Sequence, residues 1–181
     1  MPKILKNRLF RANYDAQACK SRGDKSRRRT SQILMNETCD IVHTVTDYYD
    51  GPRGGIANFH GRPHIYSSVW DEAADDWSDT FLLLPIDDET FRLAMEDWAI
   101  WCRWERAFHA GQISHDTHPA LPNERVRHDD LEIILTPRLT VDPKQAISVR
   151  GRFETRSPAQ PGITSSCALV VFWCTQESVS S

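Results

Sequence analysis

The chain has 181 residues, 40% hydrophobic and 26% charged, with a formal net charge of −3. That length suits one domain with a real core, and the composition excludes fibrous and wholly disordered classes. No run reaches the roughly 18 apolar residues that a membrane span needs, and no secretory signal opens the chain, so a cytoplasmic protein without a membrane partner is expected.

The five cysteines are widely spaced and form no CxxC pair, which argues against a disulfide framework and for a reducing compartment. Charge is unevenly spread. Of the 22 Lys/Arg, ten fall within residues 1–30; of the 25 Asp/Glu, only Asp15 and Asp24 do. Residues 1–35 therefore read as a basic arm, disordered or loosely helical. Such an arm could neutralise nucleic-acid phosphates, act as a transit peptide, or be an upstream extension before a true start at Met35. Residues 36–176 read as one α+β domain and residues 177–181 as a flexible tail.

The domain opens with "DIVHTVTDYY", whose β-branched and aromatic residues predict a strand. "DGPRGG" turns the chain, "IANF" resumes, and "HGRP" turns it again. "HIYSSVW" alternates Ile65, Ser67 and Val69 against Tyr66, Ser68 and Trp70, as a meander strand should. "DEAADDWSD" reads as an acidic loop and "TFLLLP" as a short buried strand. Asp87, Asp88 and Glu89 favour a helix N-terminus, and Gly111 a stop, which predicts a helix from about residue 88 to Ala110. Asn123 is the expected N-cap of a second helix ending near Leu135. "AISVRGRFE" and "CALVVFWC" complete the strands. The order strands, helices, strands predicts an antiparallel sheet of five to six strands, packed against a long Trp-rich helix and a shorter one.

At about 100° per residue the apolar arc of the long helix spans more than roughly 200°, well beyond the roughly 100° of a surface helix. Its tryptophans are therefore expected to be core. Asp97, Glu105 and His109 fall inside that arc. The plain expectation is that each is satisfied locally, with Arg150 and Arg152 as candidate partners, because an unpaired buried carboxylate is costly. The sharper one is a site.

Histidines cluster after the helix at His109, His115, His118 and His128. Glu105 and His109 share a face at i,i+4, and "HDTH" sets His115 and His118 three apart. Glu105, His109, His115 and His118 could hold a divalent metal such as zinc, since imidazole and carboxylate suit it. No HExxH or other standard spacing supports them, and solvated loop histidines are the plain alternative. His60 and His64 bracket a tight turn around Arg62. With Asp97 and Arg150, these three are the candidate ligand-binding residues. No phosphate loop, GxSxG elbow or Cys–His signature appears, and no organic cofactor is indicated.

The segments "DYYDGPRGGIANFHGRPHIY", "EDWAIWCRWERAFHAG" and "THPALPNERVRHDDLE" resemble a group of small bacterial proteins, from about Val45 to Phe153. The resemblance implies a bacterial cytosolic origin and a domain beginning near Met35, and brings no catalytic residue with it.

The leading expectation is a non-catalytic domain that binds a protein or small ligand through its hairpin loops and the 111–122 connection. The alternative is a metal-dependent hydrolase using Glu105, His109, His115 and His118. A weaker third is nucleic-acid binding through residues 1–30.

Overall fold

The structure, a computed structural model, describes residues 39–156 and 168–174. The basic arm and the C-terminal tail lie outside them. The described residues form a mixed α+β fold of six strands and two helices. The strands are β1 (Asp40–Tyr48), β2 (Pro52–Phe59), β3 (Arg62–Asp71), β4 (Asp76–Pro85), β5 (Ile147–Arg156) and β6 (Ala168–Cys174). Helices α1 (Asp88–His109) and α2 (Arg125–Arg138) are inserted between β4 and β5.

Every strand pairs antiparallel with its neighbours, and β1 meets β6 through Asp40 opposite Val171 and Ile41 opposite Val170, so the sheet closes into a barrel. Alternation along each strand sends one set of side chains inward. Ala57, Phe59, Tyr66, Phe81, Leu83, Val149 and Val171 fill the interior, with Val42, Phe153 and Trp173 packed beside them. Phe81, Phe153 and Tyr66 lie 5.8, 5.8 and 6.4 Å from Trp173, centroid to centroid, in tilted or edge-on contacts.

Two polar devices make this interior tolerable. The Trp173 indole Nε1 donates to the Asn58 carbonyl at 2.6 Å. The buried Tyr66 hydroxyl donates to the Thr44 carbonyl at 3.2 Å. Burial raises the phenol pKa, so Tyr66 stays neutral.

Glycine is required where the aromatics crowd. A Cβ on Gly151 would lie 2.6 Å from the Trp173 ring that faces it across the β5–β6 pair. A Cβ on Gly55 would lie 2.2 Å from the Thr44 carbonyl oxygen.

The outer face of the barrel carries the helices. Ile56 and Ile65 point out and pack with Leu93, Ala94 and Ile100 of α1, Leu131 and Leu135 of α2, and Ala120 between them. Asp87 caps α1, its Oδ1 accepting from the Thr90 amide at 2.6 Å. That bond holds the carboxyl below the usual carboxylate range. At the other end Gly111 turns out of the helix at φ +68°, as a C-terminal glycine does.

Several expectations are corrected in detail. The antiparallel sheet has six strands, as expected, and it closes into a ring, a point the expectation left open. β4 begins at Asp76, inside the stretch read as an acidic loop, because Trp77 pairs with Trp70. Asn123 does not cap α2: the helix starts at Arg125, and Glu124 holds the cap position without a side-chain bond. Pro137 lies within α2, which runs on to Arg138. It removes one helical N–H in the last turn, while the Leu139 amide still reaches the Leu135 carbonyl at 2.8 Å. Of the tryptophans in α1, Trp104 is core at 4% exposure. Trp98 and Trp101 are half-buried and stack on each other at 4.7 Å.

Gly151→Ala should force the Trp173 ring aside and destabilise the fold by about 1–3 kcal/mol, the usual range for overpacking. Urea denaturation followed by tryptophan fluorescence measures it, and Ser148→Ala on the exposed face of β5 is the control expected to change little.

Candidate metal centre

α1 and α2 run antiparallel, as their cross-links show. Glu96 takes Arg127 through both oxygens at 2.7 and 2.9 Å. Arg103 takes Glu124 at 2.9 and 2.5 Å. Glu89 meets Arg138 at 3.4 Å. As numbers rise along α1, those of its partners fall along α2. These pairs are partly exposed, so each adds little to stability, but together they fix the register of the two helices.

That register brings Asp97 to His128. Asp97 Oδ1 and His128 Nδ1 lie 2.6 Å apart, with side-chain exposures of 27% and 12%. A carboxylate oxygen accepts from Nδ1, so in the neutral imidazole that nitrogen carries the hydrogen and Nε2 the lone pair. This resolves the anomaly of an acid inside the apolar arc of α1. Its partner is an imidazole from α2, not Arg150 or Arg152. Both of those belong to β5, across the ring from β2, and Arg152 instead meets Glu154.

On α2, His128 and Glu132 stand one turn apart with Asp129 beside them. One donor atom from each of the three lies within 4.8 Å of the others. His128 is half-buried, while Asp129 and Glu132 are exposed. One imidazole and two carboxylates form a donor set geometrically compatible with a divalent metal. Asp97 behind the imidazole supplies the carboxylate that metal-bound histidines commonly lean on.

The structure arranges the residues singled out in the sequence differently. Glu105 and His109 lie one turn apart near the C-terminal end of α1. His115 opens a short 3-10 turn, His115–Thr117, and His118 follows it, their rings stacked at 5.6 Å. Among the described residues, these four do not form a converging donor set; the one that does is on α2. The Trp104 indole Nε1 donates to Thr117 Oγ1 at 3.0 Å and its ring meets His118 edge-on at 4.6 Å. Arg125 Nη2 donates to the carbonyls of Thr117 and His118 at 2.6 and 2.8 Å. The Thr117–His118 end of this connection is braced, while Ser114, His115 and Asp116 are exposed.

Of the candidate ligand-binding residues, His64 is buried at 8%, its Nδ1 2.8 Å from the Arg62 carbonyl and its ring edge-on to Phe59. His60 and Arg62 are exposed at the β2–β3 turn, and Arg150 is exposed on β5. Apart from that His64–Arg62 bond, no hydrogen bond or ion pair among the described residues joins these four or Asp97 to one another. The sequence signal for the α2 set was present but indirect: "VRHDDLE" places His128 and Glu132 on one helical face, and His128 belongs to the histidine run.

Two further groups have shifted proton affinities. Burial, then His115, Arg125 and His128, lower the pKa of His118. Burial raises that of Glu105, partly offset by His109, and Glu105 has no hydrogen-bond or ion-pair partner among the described residues. No protein-family model matches this sequence, and neither curated proteins nor solved structures give a match. No described helix is long and apolar enough to cross a membrane.

The two shifts give opposite pH signatures. The folded pKa of His118 lies below its ordinary value of 6.5. Its contribution to stability is therefore complete above that value and is lost as pH falls through the folded pKa. The folded pKa of Glu105 lies above its ordinary 4.5. Its contribution is complete below that value and is lost as pH rises through the folded pKa. Thermal melts against pH should show His118→Gln losing part of the decline on the acid side of neutrality. Glu105→Gln should melt higher than wild type at pH 7, with the advantage shrinking toward pH 4.

Proposed function

We propose that the protein is a metal-dependent hydrolase whose cation is held by His128, Asp129 and Glu132 on α2. The observation that carries this reading is the convergence of those donors within 4.8 Å, on a histidine whose Nδ1 lies 2.6 Å from Asp97 Oδ1. A ring nitrogen of His128 and one oxygen each from Asp129 and Glu132 would hold the ion, and Nε2 is the nitrogen that Asp97 leaves free. Three protein donors are the number that catalytic zinc sites use, whereas structural sites use four. A bound cation would supply Lewis-acid chemistry there, polarising an oxygen of water or substrate. Asp97 orients the imidazole and makes it a better donor. The mixed nitrogen and oxygen set suits zinc or a similar first-row ion better than calcium, which prefers an all-oxygen cage. Exposure of Asp129 and Glu132 leaves the open side accessible to a bulky substrate.

Calorimetric titration of the chelator-treated protein with zinc should show one equivalent bound. His128→Ala and Glu132→Gln should lose it. Asp97→Asn should keep the site but weaken it about 10- to 100-fold. Nitrophenyl carboxylic and phosphate esters, assayed with and without the ion, then test for hydrolysis. Absence of zinc binding in the wild type would refute the site. Binding without metal-dependent turnover of any ester would reduce the reading to a cation-binding domain.

A further inference from the structure

Not all of the aromatic residues enter the barrel. At the end of the ring where β1 passes into β2 and β3 into β4, Tyr48, Tyr49 and Trp70 are 46%, 64% and 44% exposed. They belong to one surface. Trp70 meets Trp77 across the β3–β4 pair, edge to face at 5.3 Å. The Arg53 guanidinium carbon lies 5.9 Å from the Trp77 ring centre. Its Nε donates to the Tyr49 carbonyl at 2.8 Å and its Nη2 to that of Asp50 at 3.4 Å. Arg53 thus ties the two turns together.

The same two turns are rich in carboxylates. The first turn brings Asp47 and Asp50; the second brings Asp71, Glu72, Asp75 and Asp76, all exposed. Asp71 accepts from the Ala73 and Ala74 amides and Asp76 from the Trp77 amide. Asp47, Asp50, Glu72 and Asp75 have no side-chain hydrogen bond or ion pair among the described residues. Arg53 is turned to carbonyls and an indole, so it neutralises none of them directly.

Exposed aromatics grouped within a polar rim mark an interaction surface. The charge decides what fits. An anionic partner would be repelled, and a purely apolar one would strand the carboxylates without water. Arg53 shows which chemistry the surface accepts: a flat cation lying over an indole. We propose that this end of the barrel docks a Lys/Arg-rich segment of a partner protein. Its cationic side chains lie over Tyr49 and Trp70, and the unpaired carboxylates of the two turns act as counter-charges. The docking surface is independent of the cation site on α2, so either can fail alone.

The probe is a fluorescein-labelled peptide alternating Arg and Lys with Gly and Ser, titrated with the full chain and read by fluorescence anisotropy at low and physiological ionic strength. Binding is expected, weakening with salt. The Tyr49→Ala/Trp70→Ala double variant should lower affinity about 10-fold with an unchanged circular dichroism spectrum. Asp47→Lys/Glu72→Lys should lower it further, and His128→Ala should leave it unchanged. No binding by wild type overturns the proposal. So does equal binding of a peptide with Gln at every Arg and Lys, which would make the surface an apolar dock. So does binding indifferent to the aromatic pair, which would reduce it to general attraction to an acidic domain.

Discussion

The indole of Trp173 and the missing side chain of Gly151 are one constraint seen from two strands. A ring of six strands leaves a narrow interior that side chains must fill. Phe59, Tyr66, Phe81 and Phe153 fill most of it, and Trp173 reaches across to the Asn58 carbonyl. It can do so because the residue opposite it has no Cβ to meet. Closure of the ring, outward display of Ile56 and Ile65, and the platform on which α1 and α2 rest all depend on that interior being full.

The helices then serve a different purpose from the barrel. Their shared apolar cluster sets how deeply they sit, but apolar contacts alone tolerate sliding. The arginine–carboxylate pairs resist it, because slipping α2 by one turn would separate Arg127 from Glu96 and Arg103 from Glu124 together. It would also take His128 away from Asp97. The donor set on α2 is local to one helix, while the residue that orients its imidazole is on the other. Site geometry therefore depends on helix register.

Much of the fold was legible in the sequence, for identifiable reasons. Period-two alternation marked β3 and β5 as strands with two distinct faces, though not which face turns inward, and Asp87 with Gly111 bracketed α1. Closure was not legible, since an open sheet and a barrel impose the same alternation; Gly151 inside a strand rich in large residues was the one local hint. The early start of β4 was hidden because Asp76 and Asp79 look like loop residues, whereas on a strand they simply face water. At the site, Asp97 was visibly out of place on an apolar face. Its partner could not be read, because His128 lies 31 positions away and only packing brings it near. Glu105 stood out by the same rule yet has no partner among the described residues.

The meeting of β1 with β6 has a consequence of its own. A flat sheet of six strands ends in two rows of unsatisfied amides and carbonyls, which invite foreign strands to add on. Here the first and last strands are each other's neighbour, held by Asp40 with Val171 and Ile41 with Val170. Among the described residues this seam is short, which makes it a place where the ring could part under stress. A molecule opened there would present two complementary borders, and a second opened molecule could match them. Strand exchange between copies would thus start at this junction, and the few pairs that close the ring also guard the protein against assembling with itself.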